Sequence, residues 1–202
     1  MATDPLNQVA EKGGSQVAID SRVVLLANDG TAIGTASKAT VHTQETPLHL
    51  AFSCYLFDVD GRVLLSRRAL TKRTWPGVWT NSFCGHPAPG EDIEAAVRRH
   101  GRSELGIDIS DLAVALPDFR YSARDSSGLL ENEVCPVYTA RTTQALAANP
   151  AEVCEWVWVE PADLATAIAA SPRVFSPWMV LQVPQLAASL VDLWSPPIGA
   201  TP

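Results

Sequence analysis

The chain reads as a single α/β domain, a mixed β-sheet sandwiched between helices. Of its 202 residues, 47% are apolar and 18% are charged. That balance belongs to a globular chain, and a domain of this length hides roughly 70% of its unfolded surface. The apolar patterning runs as strands, one helix, strands, then two helices, without the regular alternation of an all-parallel sheet. No internal repeat and no low-complexity linker divides the chain, so one domain is favoured over two.

Residues 1–20 are polar, carry Gly13-Gly14, and read as a flexible extension. The domain follows over 21–194. Arg22 to Ala27 has the character of a strand, with Asn28-Asp29-Gly30 as its turn. Leu50 to Phe57 is a second strand, Val59-Asp60-Gly61-Arg62 a hairpin turn, and Val63 to Arg67 the return strand. Pro76-Gly77 marks a loop between Trp75 and Trp79. From Asp92, the spacing of Ile93, Ala96, Val97 and Leu105 predicts a helix ending at Gly106, with Gly101 inside it. Strands return at Phe119–Ala123, Glu131–Ala140 and Glu155–Val159. Pro161 opens a short helix through Ala170, and Ser176-Pro177 opens the last, with Ser176 as N-cap and Pro184 expected to kink or break it. Residues 195–202, from Ser195-Pro196-Pro197, form a tail.

The formal net charge is −7, which speaks against a general nucleic-acid binder. A local basic cluster in such a chain can still hold an anionic small molecule. No apolar run approaches the roughly 18 residues of a membrane span, so no membrane partner is expected. The first residues lack the apolar core of a signal peptide. Cys54, Cys84, Cys135 and Cys154 form no C-x-x-C pair, and reduced thiols in a cytoplasmic protein are the expectation. The assembly expected is a monomer or a weak homodimer.

The candidate chemistry begins with histidines. His42 and His49 lie seven apart in a polar stretch, and His86 follows Cys84 by two residues. Glu131 and Glu133 alternate across Asn132, so on a strand they share a face. Two carboxylates on one face repel unless a cation or a proton lies between them. Three imidazoles and two carboxylates suit a divalent transition metal. Surface histidines and solvent-facing glutamates are the bland alternative.

The segment from Gly85 is more specific. Gly85, Glu91, Arg99, Glu104, Gly106 and Ile107 have the spacing of the Nudix box, a loop–helix–loop that binds a divalent metal and a diphosphate. The hydrolase form of that box wants three helix glutamates at the positions held here by His100, Ser103 and Glu104. With two of the three missing, a site that still holds one Mg²⁺ but hydrolyses poorly is expected.

Several further motifs occur in order. Trp75-Pro-Gly-Val-Trp79 precedes Thr80-Asn-Ser-Phe-Cys-Gly-His-Pro87; Tyr121, Leu130-Glu-Asn-Glu-Val-Cys-Pro136 and Phe175-Ser-Pro-Trp178 follow. With His42, His49 and Arg67-Arg-Ala-Leu-Thr-Lys72, they make residues 20–185 resemble the type 1 isopentenyl-diphosphate Δ-isomerases. The resemblance implies a Nudix-like fold and a flavin-independent enzyme of isoprenoid biosynthesis that moves a double bond by protonation and deprotonation. It implies Cys84 and Glu133 as the catalytic pair, Tyr121 as a hydrogen-bond partner of Glu133, and Trp178 as the ring facing the hydrocarbon. It implies a Mn²⁺ or Zn²⁺ site at His42, His49, His86, Glu131 and Glu133. It also implies Mg²⁺ held with the substrate diphosphate by Glu104 and the backbone carbonyl of Cys84. Lys38, Arg68 and Lys72 are the cations expected at the diphosphate. His100 departs from relatives that carry arginine there. The remaining tryptophans, Trp75, Trp79, Trp156, Trp158 and Trp194, are assigned to packing. A pyrophosphohydrolase and a non-catalytic diphosphate-binding domain are the competing readings; the missing carboxylates argue against the first, and the intact Cys84, Tyr121, Glu131 and Glu133 against the second.

Overall fold

The computed structural model describes residues 22–189, so the expected extension, the tail and Trp194 lie outside the described residues. The strands are β1 (Arg22–Leu26), β2 (Ala32–Ser37), β3 (His49–Leu50), β4 (Phe52–Phe57), β5 (Val63–Arg68), β6 (Trp79–Thr80), β7 (Phe83–Gly85), β8 (Ser110–Leu116), β9 (Arg120–Arg124), β10 (Leu130–Val134), β11 (Val137–Arg141) and β12 (Val153–Val159). The helices are α1 (Lys38–Val41), α2 (Ile93–His100), α3 (Pro161–Ala170) and α4 (Pro177–Ser189).

The strands form two mixed sheets. One runs β2-β1-β3-β10-β9; the other runs β12-β5-β4-β11-β8, with β6 on β5 and β7 on β4. The stretch expected as one strand from Glu131 to Ala140 is two, separated at Cys135-Pro136. Pro136 has no N–H to give a ladder, and there the chain leaves one sheet for the other. The neighbouring strand does the same between β3 and β4. Both sheets therefore contain a parallel pair, β3 with β10 and β4 with β11. Ala51 N–H bonds the Val134 carbonyl at 2.9 Å and Ser53 N–H bonds the Pro136 carbonyl at 3.1 Å, which keeps the two chains together across the seam.

Strand β4 is buried along its whole length because both its faces are covered. Tyr55 and Phe57 join a core with Leu164, Ile168, Met179, Val183 and Leu186 of α3 and α4. Phe52, Cys54 and Leu56 join a second core with Ala96 and Val97 of α2. The larger sheet is thus sandwiched between helices.

Asp92 caps α2 by accepting from Ala95 N–H at 3.1 Å. The helix then widens into a π turn over Gly101–Leu105 and stops at Gly106, whose φ of 69° is left-handed. A side chain at Gly106 would also meet the Ala147 carbonyl oxygen at 2.8 Å. The last helix does not break at Pro184, which lies on its exposed side and leaves the buried row of Trp178, Val183 and Leu186 intact. Ser176 stands at the start of that helix and its carbonyl accepts from Val180 N–H at 3.1 Å. Its hydroxyl pairs with Thr80 Oγ1 at 2.8 Å, so the side chain ties the helix to β6. No helix among the described residues is long and apolar enough to cross a membrane.

Candidate active site

Strand register assembles the site where the two sheets part. In the smaller sheet Glu133 is opposite His49 on β3 and Tyr121 on β9. In the larger sheet Cys84 on β7 is opposite Ser53 on β4. A cavity of about 350 Å³ opens between them. Cys84, Glu133, Tyr121, Trp178, Lys38, Arg68, Lys72, His42, His86, Glu131 and Glu104 all line it. His49 is fully buried behind, with its Nε2 3.2 Å from His86 Nε2.

The donor atoms of His42, His49, His86 and Glu133 lie within 4.8 Å of one another. His49 Nδ1–H is directed at the Pro47 carbonyl at 3.0 Å, which leaves Nε2 as the ring atom facing the cluster. Glu133 Oε1 is 3.3 Å from His86 Nε2 and 3.5 Å from His49 Nε2. Glu131 adjoins this group: its Oε2 is 2.9 Å from His42 Nε2, while Oε1 accepts from Thr74 Oγ1 at 2.9 Å. Yet His42 Nε2 and Glu131 Oε2 are buried and neither has an aligned hydrogen bond. Two lone-pair atoms this close and unsatisfied fit co-ligands of one cation, since buried polar atoms otherwise find partners. The nitrogen and oxygen donor set suits a divalent transition metal. Burial pushes His86 down to about 3, so its imidazole is neutral and able to ligate. Burial also opposes the charges of His49 and Glu133, but their mutual hydrogen bonding and attraction outweigh it, raising His49 and holding Glu133 well below the usual carboxylate range.

The Tyr121 hydroxyl makes no hydrogen bond to Glu133 among the described residues, contrary to expectation. The carboxylate turns instead to the two imidazoles, and Tyr121 stands beside it as a cross-strand neighbour. Burial, followed by the charges of Glu133 and Glu131, raises the phenol well above its ordinary range and keeps it neutral.

Burial likewise pushes the Cys84 thiol up to about 11, only partly offset by its hydrogen bonds to Ser53 and Asn81. The sulfur is 3.2 Å from Asn81 Oδ1 and 3.4 Å from Ser53 Oγ. Trp178 is buried with its ring edge-on to Trp75 and tilted against Tyr121, at centroid distances of 5.4 Å and 5.7 Å. Arg68 lies over the indole, 5.5 Å from its centroid. The Arg68 guanidinium is held by the Thr74 carbonyl at 2.9 Å and the Trp75 carbonyl at 3.2 Å. Trp75 adopts φ 43°, a costly conformation for a bulky residue, and this turns the loop around the guanidinium. Lys72 pairs with Glu152, and burial lowers its amine to about 8.

In the box segment, Glu91 and Arg99 form a two-pronged pair at 2.8 and 2.7 Å, and Arg99 also bonds the His86 carbonyl at 3.2 Å. These two residues therefore fasten the loop carrying His86 to α2. Glu104 reaches the cavity from the π turn, its Oε1 2.6 Å from His100 Nδ1. Arg73, Thr74, Ser53 and Asn81 have no role expected from the sequence. Arg73 is recognisable there as a further cation beside Lys72, and Asn81 lies inside the Thr80–Pro87 motif, whereas Thr74 and Ser53 carry no pattern and are recognisable only by their hydrogen bonds.

This fold, with a loop–helix–loop facing a cavity lined by carboxylates and cations, is that of a NUDIX domain, and the model of that family matches residues 47–179. DR0079 from Deinococcus radiodurans superposes with a TM-score of 0.65 at 20% identity, over 82% of this chain and 98% of that one. A MutT protein from Methanosarcina mazei gives 0.56 at 16% identity, over 70% and 94%. Within that fold the sequence relationships are narrower. A curated isopentenyl-diphosphate Delta-isomerase of Leifsonia xyli is 59% identical over 172 residues, covering 84% of this chain and 93% of its own. One of Paenarthrobacter aurescens is 60% identical over 164 residues, covering 81% and 89%. The chain belongs to the isopentenyl-diphosphate Delta-isomerase family of enzymes.

Proposed function

We propose that this enzyme interconverts isopentenyl diphosphate and dimethylallyl diphosphate in isoprenoid biosynthesis, by a metal-dependent route through a tertiary carbocation. One observation carries the reading: Cys84 and Glu133 line the same cavity, together with the aromatic residues Trp178 and Tyr121 and the cations Lys38, Arg68 and Lys72. The aromatic residues suit a short hydrocarbon and the cations suit its diphosphate.

The terminal C=C bond of the substrate accepts a proton from one member of the Cys84/Glu133 pair. Its π electrons form the new C–H bond and leave positive charge on the tertiary carbon. The other member removes a proton from the carbon next to the diphosphate-bearing one, and that C–H electron pair closes the new double bond. Placed proton transfer of this kind contributes ~10²–10⁴-fold. The Trp178 ring would stabilise the cation by ~2 kcal/mol in a dry site. Bound divalent ions would supply fixed positive charge, Mn²⁺ or Zn²⁺ at His42, His49, His86, Glu131 and Glu133, and Mg²⁺ at Glu104 and the Cys84 carbonyl for the diphosphate.

The test is incubation of the purified protein with Mg²⁺ and isopentenyl diphosphate in deuterated water. Deuterated dimethylallyl diphosphate is expected, and Cys84→Ala and Glu133→Gln should each lower its formation by at least about 10²-fold. Phosphate release instead would support a hydrolase, and full activity in either variant would remove that residue from the pair.

A further inference from the structure

A buried carboxamide joins two residues that line the cavity, Cys84 and Trp178. Asn81, on the turn between β6 and β7, is fully buried and lies outside the set of cavity-lining residues. Its Nδ2 donates to the Cys54 carbonyl at 3.1 Å and to the Phe83 carbonyl at 2.9 Å. Its Oδ1 accepts from Trp178 Nε1–H at 2.9 Å, from Thr80 Oγ1 at 2.9 Å and from Cys84 Sγ at 3.2 Å. The indole nitrogen is a donor only and the two carbonyls are acceptors only, so the orientation of the amide is determined by its neighbours.

We propose that Asn81 is the positioning residue of the reaction, its single carboxamide oxygen setting both the direction of the Cys84 S–H and the rotation of the Trp178 ring. The proposal rests on the reading of Cys84 and Trp178 as the groups that face the substrate. A thiol is a weak donor on a short side chain with rotational freedom, so its direction must be imposed. A ring that faces a cation works only with its π face turned to it. The Nδ2 bonds anchor the carboxamide to backbone at two points, so its oxygen is a fixed reference for both groups. Aspartate cannot substitute, because its second oxygen would face two carbonyl oxygens. Proton transfer falls steeply with small displacements of the reacting groups, so the loss should appear in turnover rather than in substrate affinity.

The experiment compares wild type and Asn81→Ser by kcat and KM per folded protein, and by the ¹H–¹⁵N resonance of the Trp178 indole without substrate. The expected result is a fall in kcat of at least about 30-fold with KM within about threefold. The Trp178 N–H resonance should move upfield as its bond to Asn81 is lost. A kcat within about threefold of wild type, or an unmoved resonance, overturns the proposal. Should Asn81→Ser not fold, the wild-type protein still decides the contact. A hydrogen-bonded Trp178 N–H resonates downfield and exchanges about 100-fold more slowly than that of the half-exposed Trp156, and equal rates overturn the proposal. Wild type without isomerase activity overturns the functional reading and the positioning role together, while the indole resonance continues to report the Asn81–Trp178 bond by itself.

Discussion

Lys72 shows how burial tunes a single cation. Its amine is pulled down to about 8 chiefly by burial, with the charge of Glu104 opposing and those of Arg68 and Lys38 adding to the shift. In the unfolded chain the same group titrates near 10.5. Between those values the unfolded state binds more protons, so this residue makes the fold more stable as pH rises from 8 to 10.5 and costs stability below 8. For substrate the sign is opposite. The ammonium that would meet a diphosphate is present below about 8 and is lost above it. The KM for isopentenyl diphosphate should therefore rise severalfold between pH 7 and pH 9.5. Lys72→Arg, whose guanidinium stays charged, should keep KM flat over the same range. A KM that rises equally in both proteins would assign the pH dependence to another group. Arg68, the neighbouring cation, is clasped by carbonyls of the Thr74–Trp75 turn.

At the scale of elements, the segment from β7 through the π turn couples a glycine to a histidine. Gly85 has ordinary backbone angles, but a Cβ there would lie 2.5 Å from the His100 ring. That ring packs edge-on to Phe52 at 5.3 Å and bonds Glu104. Gly85→Ala should then cost about 1–3 kcal/mol in denaturant unfolding by forcing the ring aside. In a His100→Ala background the same substitution should cost well under half as much, because the obstacle is gone. Additive costs would show that something other than the ring forbids the side chain. None of this was legible in the sequence, where Gly85 and His100 lie fifteen positions apart. What was legible followed from local pattern. The Ile93, Ala96, Val97 row marked α2, and Asp60-Gly61 marked the hairpin between β4 and β5. Strand β8 is not marked because most of its residues are exposed, and β2 because Ala, Gly and Ser fill four of its six positions. The change of sheet at Cys135-Pro136 was hidden for another reason: the apolar and buried character continues through it while the pairing partner changes. The candidate site was legible because its chemistry lies in residue types, Cys, His and Glu at fixed spacings. The amides and hydroxyls that hold those residues were not, since such side chains occur in any turn.

For the whole molecule, the seam between the two sheets is the place where the buried charges of the site collect. His49 comes from β3, Glu131 and Glu133 from β10, His86 from the loop after β7, and His42 from the end of α1. The cluster joins elements of both sheets through polar groups that lack enough hydrogen-bond partners. A cation that satisfies them binds the folded state alone, so its binding free energy adds to the stability of the fold. At free metal one hundred times above the dissociation constant that contribution is about 2.7 kcal/mol. For a chain of this length it corresponds to a rise in Tm of about 5–10 °C. Protein stripped by a chelator should therefore melt lower by that amount, and Mn²⁺ or Zn²⁺, added back without substrate, should restore it. His42→Ala and His49→Ala should melt at the lower temperature whether or not metal is present. Because the readout is stability without substrate, it separates the cluster from the Mg²⁺ proposed to bind at Glu104 with the diphosphate. A Tm that does not respond to either metal would leave the orphaned His42 and Glu131 atoms as a purely internal arrangement, and the seam would have to be held by its backbone ladder and packing alone.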